Sequence, residues 1–238
     1  MLMFPLTIMA GSGLAPDLAW WKADGALFQD AAATTPANVA GNPIGAWPST
    51  GSTRALTQTT ATQRPLYQTV PKRVVFDGVD DRLSTASPIA ATAAGAIILV
   101  FTTSATAFAT RGVQAILSQS NSAAANAWFE VGIDAGGRLY TEFNNSGTIR
   151  TAVGSTVLAN STTYALLVSY DGTDYYMQLG PFEENPITYS NAGAFGWLGG
   201  VPAANTLTLG GTLTSAGLVR PFQGAVIEAQ IYTTDITA

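Results

Sequence analysis

Few side chains in this 238-residue chain have types and spacings that could do chemistry. Glu130 and Glu142 lie in two runs that alternate apolar and polar residues, joined by Asp134-Ala135-Gly136-Gly137. Alternate residues of a strand point to one face, so the two carboxylates would share a hairpin face, as an acid/base pair requires. A solvated outer face is the expected setting for both, because Phe129, Val131 and Ile133 take the inward row. Asp77, Asp80 and Asp81 form an oxygen-rich cluster of the kind Ca²⁺ takes. The more economical reading is a turn between strands in which Asp side chains bond nearby backbone N–H groups. No metal or cofactor is expected. Glu183-Glu184 beside Pro186 reads as a solvated loop tip. Phe182, Tyr189, Phe195 and Trp197 fall in one Gly-rich stretch, where exposed rings would stack on sugar faces or anchor a protein. The alternative is that they form a small core of that stretch.

Composition removes most other chemistry. The chain has no Cys and no His, which excludes disulfides, thiolate nucleophiles, His-assisted triads and zinc sites of ordinary ligand type. No Gly-x-Ser-x-Gly elbow, phosphate loop or dinucleotide fingerprint occurs. No catalytic residue is assigned, and the chain is not expected to be an enzyme. Net charge is −5 with ten scattered basic residues, which argues against a nucleic-acid footprint or a basic membrane-binding patch. Charged residues make up 11% against about a quarter in ordinary domains, so the surface is small and neutral or is covered by neighbours.

The elements that must position these residues are strands. Runs rich in Val, Ile, Thr, Tyr and Phe recur between Gly, Asn, Asp and Pro clusters, the pattern of an all-β chain. One hairpin runs from Ala127 to Phe143, and a second joins Thr163–Tyr170 to Asp174–Leu179 through Asp171-Gly172-Thr173. Further strands are expected at Arg73–Asp77, Ala96–Thr103, Ala115–Gln119, Leu207–Gly211 and Ala225–Thr233. Residues 26–70, with Pro36, Pro43, Pro48 and Pro65, read as a long excursion with short strands at most. Trp20, Trp21, Trp47 and Trp128 read as core. Residues 1–16 read as an apolar arm and 17–238 as one sandwich domain. In the arm, Leu2, Met3, Phe4, Leu6, Ile8 and Met9 are the candidate contacts to a partner chain, the equal alternative being an edge strand packed on the chain's own domain. The run is too short to span a bilayer, and Pro5 and the absence of a basic residue before Lys22 speak against a secretory signal.

Four segments in order carry a resemblance: Phe76-Asp77-Gly78-Val79-Asp80-Asp81-Arg82-Leu83, Gly132-Ile133-Asp134-Ala135-Gly136-Gly137-Arg138-Leu139, Ser169-Tyr170-Asp171-Gly172, and Phe222-Gln223-Gly224 leading to Glu228 and Ile231-Tyr232. Together they resemble the laminin-G-like, concanavalin A-like lectin/glucanase superfamily over residues 73–235. The resemblance implies a two-sheet antiparallel jelly-roll sandwich whose concave face or rim loops bind sugars or proteins. Glucanases of this superfamily carry two Glu around an Asp on one strand, and no Glu-x-Asp-x-x-Glu run occurs here. The stretch Phe182–Ala204 replaces the family's usual turn after the second hairpin.

The arm, the low charge and a sandwich without catalytic groups lead, by analogy with phage structural proteins, to an expected role in a virion. That role is a bacteriophage capsid decoration or tail-associated protein, with other virion proteins and further copies of itself as partners. The alternative is a carbohydrate-binding adhesin module with a glycan as ligand.

Overall fold

Alternation with a period of two carries this chain into strands, and the Gly, Pro, Asn and Asp clusters between them become turns. The computed structural model describes residues 19–90, 94–190 and 196–235. In chain order the strands are β1 (Ala19–Lys22), β2 (Ala46–Pro48), β3 (Ala55–Thr57), β4 (Leu66–Thr69), β5 (Lys72–Asp77), β6 (Leu83–Thr85) and β7 (Gly95–Thr103). After a single-turn helix α1 (Phe108–Arg111) come β8 (Gln114–Ser120), β9 (Ala127–Ile133), β10 (Arg138–Asn145), β11 (Thr148–Val157), β12 (Thr163–Tyr170) and β13 (Tyr175–Leu179). The chain continues through β14 (Phe182–Glu183), β15 (Thr188–Ser190), β16 (Thr206–Leu209), β17 (Thr212–Thr214), β18 (Gly217–Val219) and β19 (Gln223–Tyr232). Short 3-10 turns occupy Ala61–Gln63 and Leu198–Gly200.

Two antiparallel sheets result. The eight-stranded sheet runs β14-β13-β12-β7-β19-β5-β4, with β1 paired to β19. The nine-stranded sheet runs β15-β11-β10-β9-β8-β16-β6-β3-β2. This is the all-β chain that the sequence pattern implies, in the two-sheet jelly roll that the resemblance implies, and both expected hairpins form with the stated turns. The inward rows of the sheets meet in one apolar cluster. Phe129, Val131 and Ile133 of β9 face Leu166 and Val168 of β12, with Trp21, Trp47, Phe76, Phe101 and Phe222 filling the space around them. The excursion over 26–70 contributes only the short strands β2, β3 and β4 and one 3-10 turn. It still closes the core at one end through Leu27, Ile44, Trp47 and Leu56.

The stretch that follows β13 behaves differently from its expectation as a loop of exposed rings. It adds one edge strand to each sheet, β14 pairing with β13 and β15 with β11. It then drops Trp197, Leu198 and Val201 into the main core. Trp197 fits there because residue 95 is glycine: a Cβ at Gly95 would lie 2.3 Å from the indole nitrogen. Glu184 is also corrected. It is buried rather than at a solvated tip, and its Oε2 accepts the backbone N–H groups of Ser155 and Thr156, each at 2.7 Å, tying the stretch to β11. Among the described residues no helix is long and apolar enough to cross a membrane. The arm over 1–16, with its candidate contacts from Leu2 to Met9, lies outside the described residues, as does Phe195.

Candidate functional site

Along β9 and β10 the residues between the core-facing ones are Trp128, Glu130, Tyr140, Glu142 and Asn144. They project from the face of the nine-stranded sheet turned away from the core. Glu130 and Glu142 are cross-strand partners in the hairpin, as alternation requires. Their environment overturns the expectation of a solvated face, since Glu130 is 0% and Glu142 6% exposed. What covers them is the β17–β18 hairpin, which folds back across the sheet after Gly210 and Gly211. Gly210 has φ 98°, a left-handed turn that glycine adopts without steric cost.

The carboxylates are held by a network. Arg220, just past β18, directs Nη1 to Glu130 and to Glu142 Oε1, the latter at 2.8 Å. Glu130 also accepts Tyr140 OH at 2.6 Å and the Thr212 hydroxyl of the hairpin. Trp128 Nε1 donates to Glu142 Oε1 at 3.0 Å, and the guanidinium sits 5.4 Å from the Trp128 ring centroid. Arg220 holds φ 52°, a left-handed backbone that costs a non-glycine residue about 1 kcal/mol or more. That backbone turns its side chain toward the acids. Burial pushes the Glu130 carboxyl up, with Arg220 opposing and Glu142 adding to the rise. Burial and the neighbouring Glu130 hold the Tyr140 phenol well above its ordinary value. Burial weighs against the charge on Arg220, but Glu130, Tyr140 and Glu142 outweigh it and raise the guanidinium further. One cation therefore bridges two carboxylates whose oxygens are mostly taken, an arrangement suited to holding a hairpin rather than to exchanging protons with a substrate.

The acids belong to a longer feature. Reading across the sheet, Thr57, Ser84, Thr208, Ser118, Glu130, Glu142, Thr151 and Ser190 are successive cross-strand partners from β3 to β15. Every member carries a hydroxyl or a carboxyl. A second row beside it contains Thr206, Ser120, Trp128 and Asn144. The centre lies beneath the hairpin, where Ser118 donates to the Gly211 carbonyl at 2.8 Å. Ser120 Oγ and Thr208 Oγ1 are buried there without a hydrogen-bond partner. The row emerges toward solvent at Thr151 and Ser190, whose hydroxyls bond each other.

The remaining candidates do not join this face. Asp77 Oδ1 accepts the amides of Val79, Asp80 and Asp81 at 2.8–3.4 Å, and Asp81 Oδ2 accepts Asp77 N–H at 3.0 Å. The cluster thus builds its own turn, as the more economical reading has it, although carboxylate oxygens of the three lie within 4.8 Å of one another. Burial and then the Asp77 charge raise the Asp81 carboxyl to about 6. Of the aromatic set, Phe182 is exposed at 73% on edge strand β14, and Tyr189 at 40%, its hydroxyl bonded to the Tyr175 backbone. Trp197 is a core residue stacked on Tyr170 and packed against Phe129, so it offers no ring to a ligand. Sequence reasoning missed Arg220, whose partners lie 78 and 90 residues away. It also missed the hydroxyl rows, for which a signal existed: Ser118/Ser120 and Thr206/Thr208 occupy alternate positions in their strands.

No protein-family profile matches the chain, and no curated protein matches it by sequence. Solved structures do match in fold. The chain shares this jelly roll with carbohydrate-binding modules. The CBM40 of a Ruminococcus gnavus IT-sialidase, bound to α2,3-sialyllactose, superposes with TM-score 0.53 at 19% identity, over 62% of this chain and 79% of that one. A NanB sialidase from Streptococcus pneumoniae gives TM-score 0.56 at 15% identity, over 69% of this chain and 26% of that one. The LG1-3 region of the laminin α2 chain gives TM-score 0.50 at 18% identity, over 68% of this chain and 31% of that one. The chain thus corresponds to about a quarter to a third of the length of these two larger proteins.

Proposed function

We propose that this protein is a non-catalytic carbohydrate-binding module whose ligand lies on the polar face of the nine-stranded sheet, at the margin of the β17–β18 hairpin. The observation that carries the reading is the unbroken cross-strand row of hydroxyls and carboxylates from Thr57 to Ser190. A face covered only for stability would be apolar, because each buried hydroxyl left without a partner costs about 1–3 kcal/mol. Sugar hydroxyls pair with such groups, and the row reaches solvent at Thr151 and Ser190, next to buried Glu142 and its partner Arg220. The fold likeness to modules that hold sialyllactose supports the same class of ligand. The bridged carboxylates support binding without turnover.

A glycan array followed by calorimetric titration tests this. The expected result is saturable binding by the full chain that weakens at least tenfold in a Thr151→Val/Ser190→Ala variant with an unchanged unfolding midpoint. Absence of binding across the array, or binding indifferent to that variant, would overturn it. A role in virion assembly is the second reading. It is favoured by the low charge and by exposed apolar side chains at Val39, Val70, Val79, Val157 and Phe182.

A further inference from the structure

The outer face of the eight-stranded sheet holds an open cleft of about 550 Å³, on the opposite side of the sandwich from the polar rows. Its floor is Val75, Gly224 and Ala225, where β5, β19 and β7 lie side by side. Gly224 contributes only backbone to this floor, since it pairs with the core residue Phe76 and a Cβ there would meet the Phe222 ring and the Thr102 carbonyl at 2.5 Å. Arg73 stands at one end. Its Nε donates to Gln68 Oε1 at 2.7 Å across the β4–β5 pair, which orients the guanidinium and leaves its two terminal nitrogens with no protein partner among the described residues. Asp77 stands four residues along the same strand, roughly 13 Å away by strand rise. Its Oδ1 serves its own turn, and its Oδ2 has no partner among the described residues. Gln223, Ser161 and Ser104 complete the wall.

We propose that this cleft is a second ligand site that takes a carboxylate-bearing saccharide. A guanidinium with a fixed plane and two free nitrogens matches a carboxylate in bidentate fashion, which an ammonium does not. Amide and hydroxyl groups spaced around an apolar floor suit a sugar ring, one face of which is C–H and the rim O–H. The volume lies within the range of small-ligand pockets and accommodates two or three rings. Asp77 at the far end accepts from a hydroxyl of the bound saccharide. This proposal shares the carbohydrate reading given above but rests on different residues and a different sheet, so the two fail separately.

The test uses the full chain and three probes: trigalacturonate, its carboxyl-reduced counterpart galactotriose, and 3′-sialyllactose, titrated calorimetrically with amide chemical shifts mapping the contact. At least one acidic probe is expected to bind, to shift the amides of 73–77 and 223–225, and to weaken tenfold or more in Arg73→Gln. Thr151→Val/Ser190→Ala should leave that binding unchanged, and Arg73→Lys should restore only a small part of it. Galactotriose should bind at least tenfold more weakly than trigalacturonate. Equal binding of the acidic and reduced sugars, binding indifferent to Arg73→Gln, shifts confined to β10, β11 and β15, or no binding of either acidic probe would each overturn the proposal.

Discussion

Replacing Arg220 by methionine isolates the ion network that holds the hairpin to the sheet. The substitution keeps an unbranched side chain over Trp128 and removes the only cation that faces Glu130 and Glu142 among the described residues. Breaking a buried ion pair by removing one partner costs about 3–5 kcal/mol, and the partial exposure of Arg220 places the expected loss near 3 kcal/mol at pH 8. Protonation offers an escape. Burial already raises the Glu130 carboxyl with Arg220 present, and without it the rise is larger. The folded state then holds a proton that the unfolded state releases above its ordinary carboxylate pKa, so stability falls as pH rises. The slope approaches about 1.4 kcal/mol per pH unit for one such group. As pH falls toward 5 and Glu130 takes up its proton, the loss should shrink toward about 1 kcal/mol, the worth of the hydrogen bond to Glu142 that the substitution also removes. Urea unfolding followed by tryptophan fluorescence from pH 5 to 8 measures this directly. Adding Glu130→Gln to Arg220→Met should flatten the pH dependence. A loss below 1 kcal/mol at pH 8, or one that is the same at pH 5, would refute the reasoning.

Two further outcomes follow from the same physics. Asp81 has a folded pKa of about 6 against 3.8 in its reference state, so the wild-type chain should lose on the order of 2 kcal/mol as pH rises from about 4 through 6. Asp81→Asn should remove that part of the pH profile while still accepting the Asp77 amide, read as the difference between the two urea-unfolding curves. Trp197→Ala should cost about 3–5 kcal/mol by opening a cavity against Phe129 and Tyr170, whereas Phe182→Ala should stay within about 0.5 kcal/mol. Guanidinium unfolding midpoints separate the two, and similar losses would show that the assignment of one to the core and the other to the surface is wrong.

Much of the fold was legible in the residues. The Ala127–Phe143 and Thr163–Leu179 hairpins could be read because their alternation and turn chemistry are local, within reach of a window of a few residues. The candidate site was legible only in half. That Glu130 and Glu142 share a face follows from a period of two, which no later folding event can change. Whether that face meets water depends on Thr212 and Arg220, which reach it through a hairpin that begins some eighty residues further along the chain.

The sequence by itself therefore determined what local geometry and composition control: strands, turns, the pairing of the two acids, and the lack of Cys and His chemistry. The tertiary structure alone decided exposure. It buried Glu130 and Trp197, left Phe182 at an edge, lined up hydroxyls from strands far apart in the chain into one row, and set Arg73 at the end of an open cleft. Burial and charge pairing are sums over neighbours brought from anywhere in the chain, and no single stretch of sequence contains them.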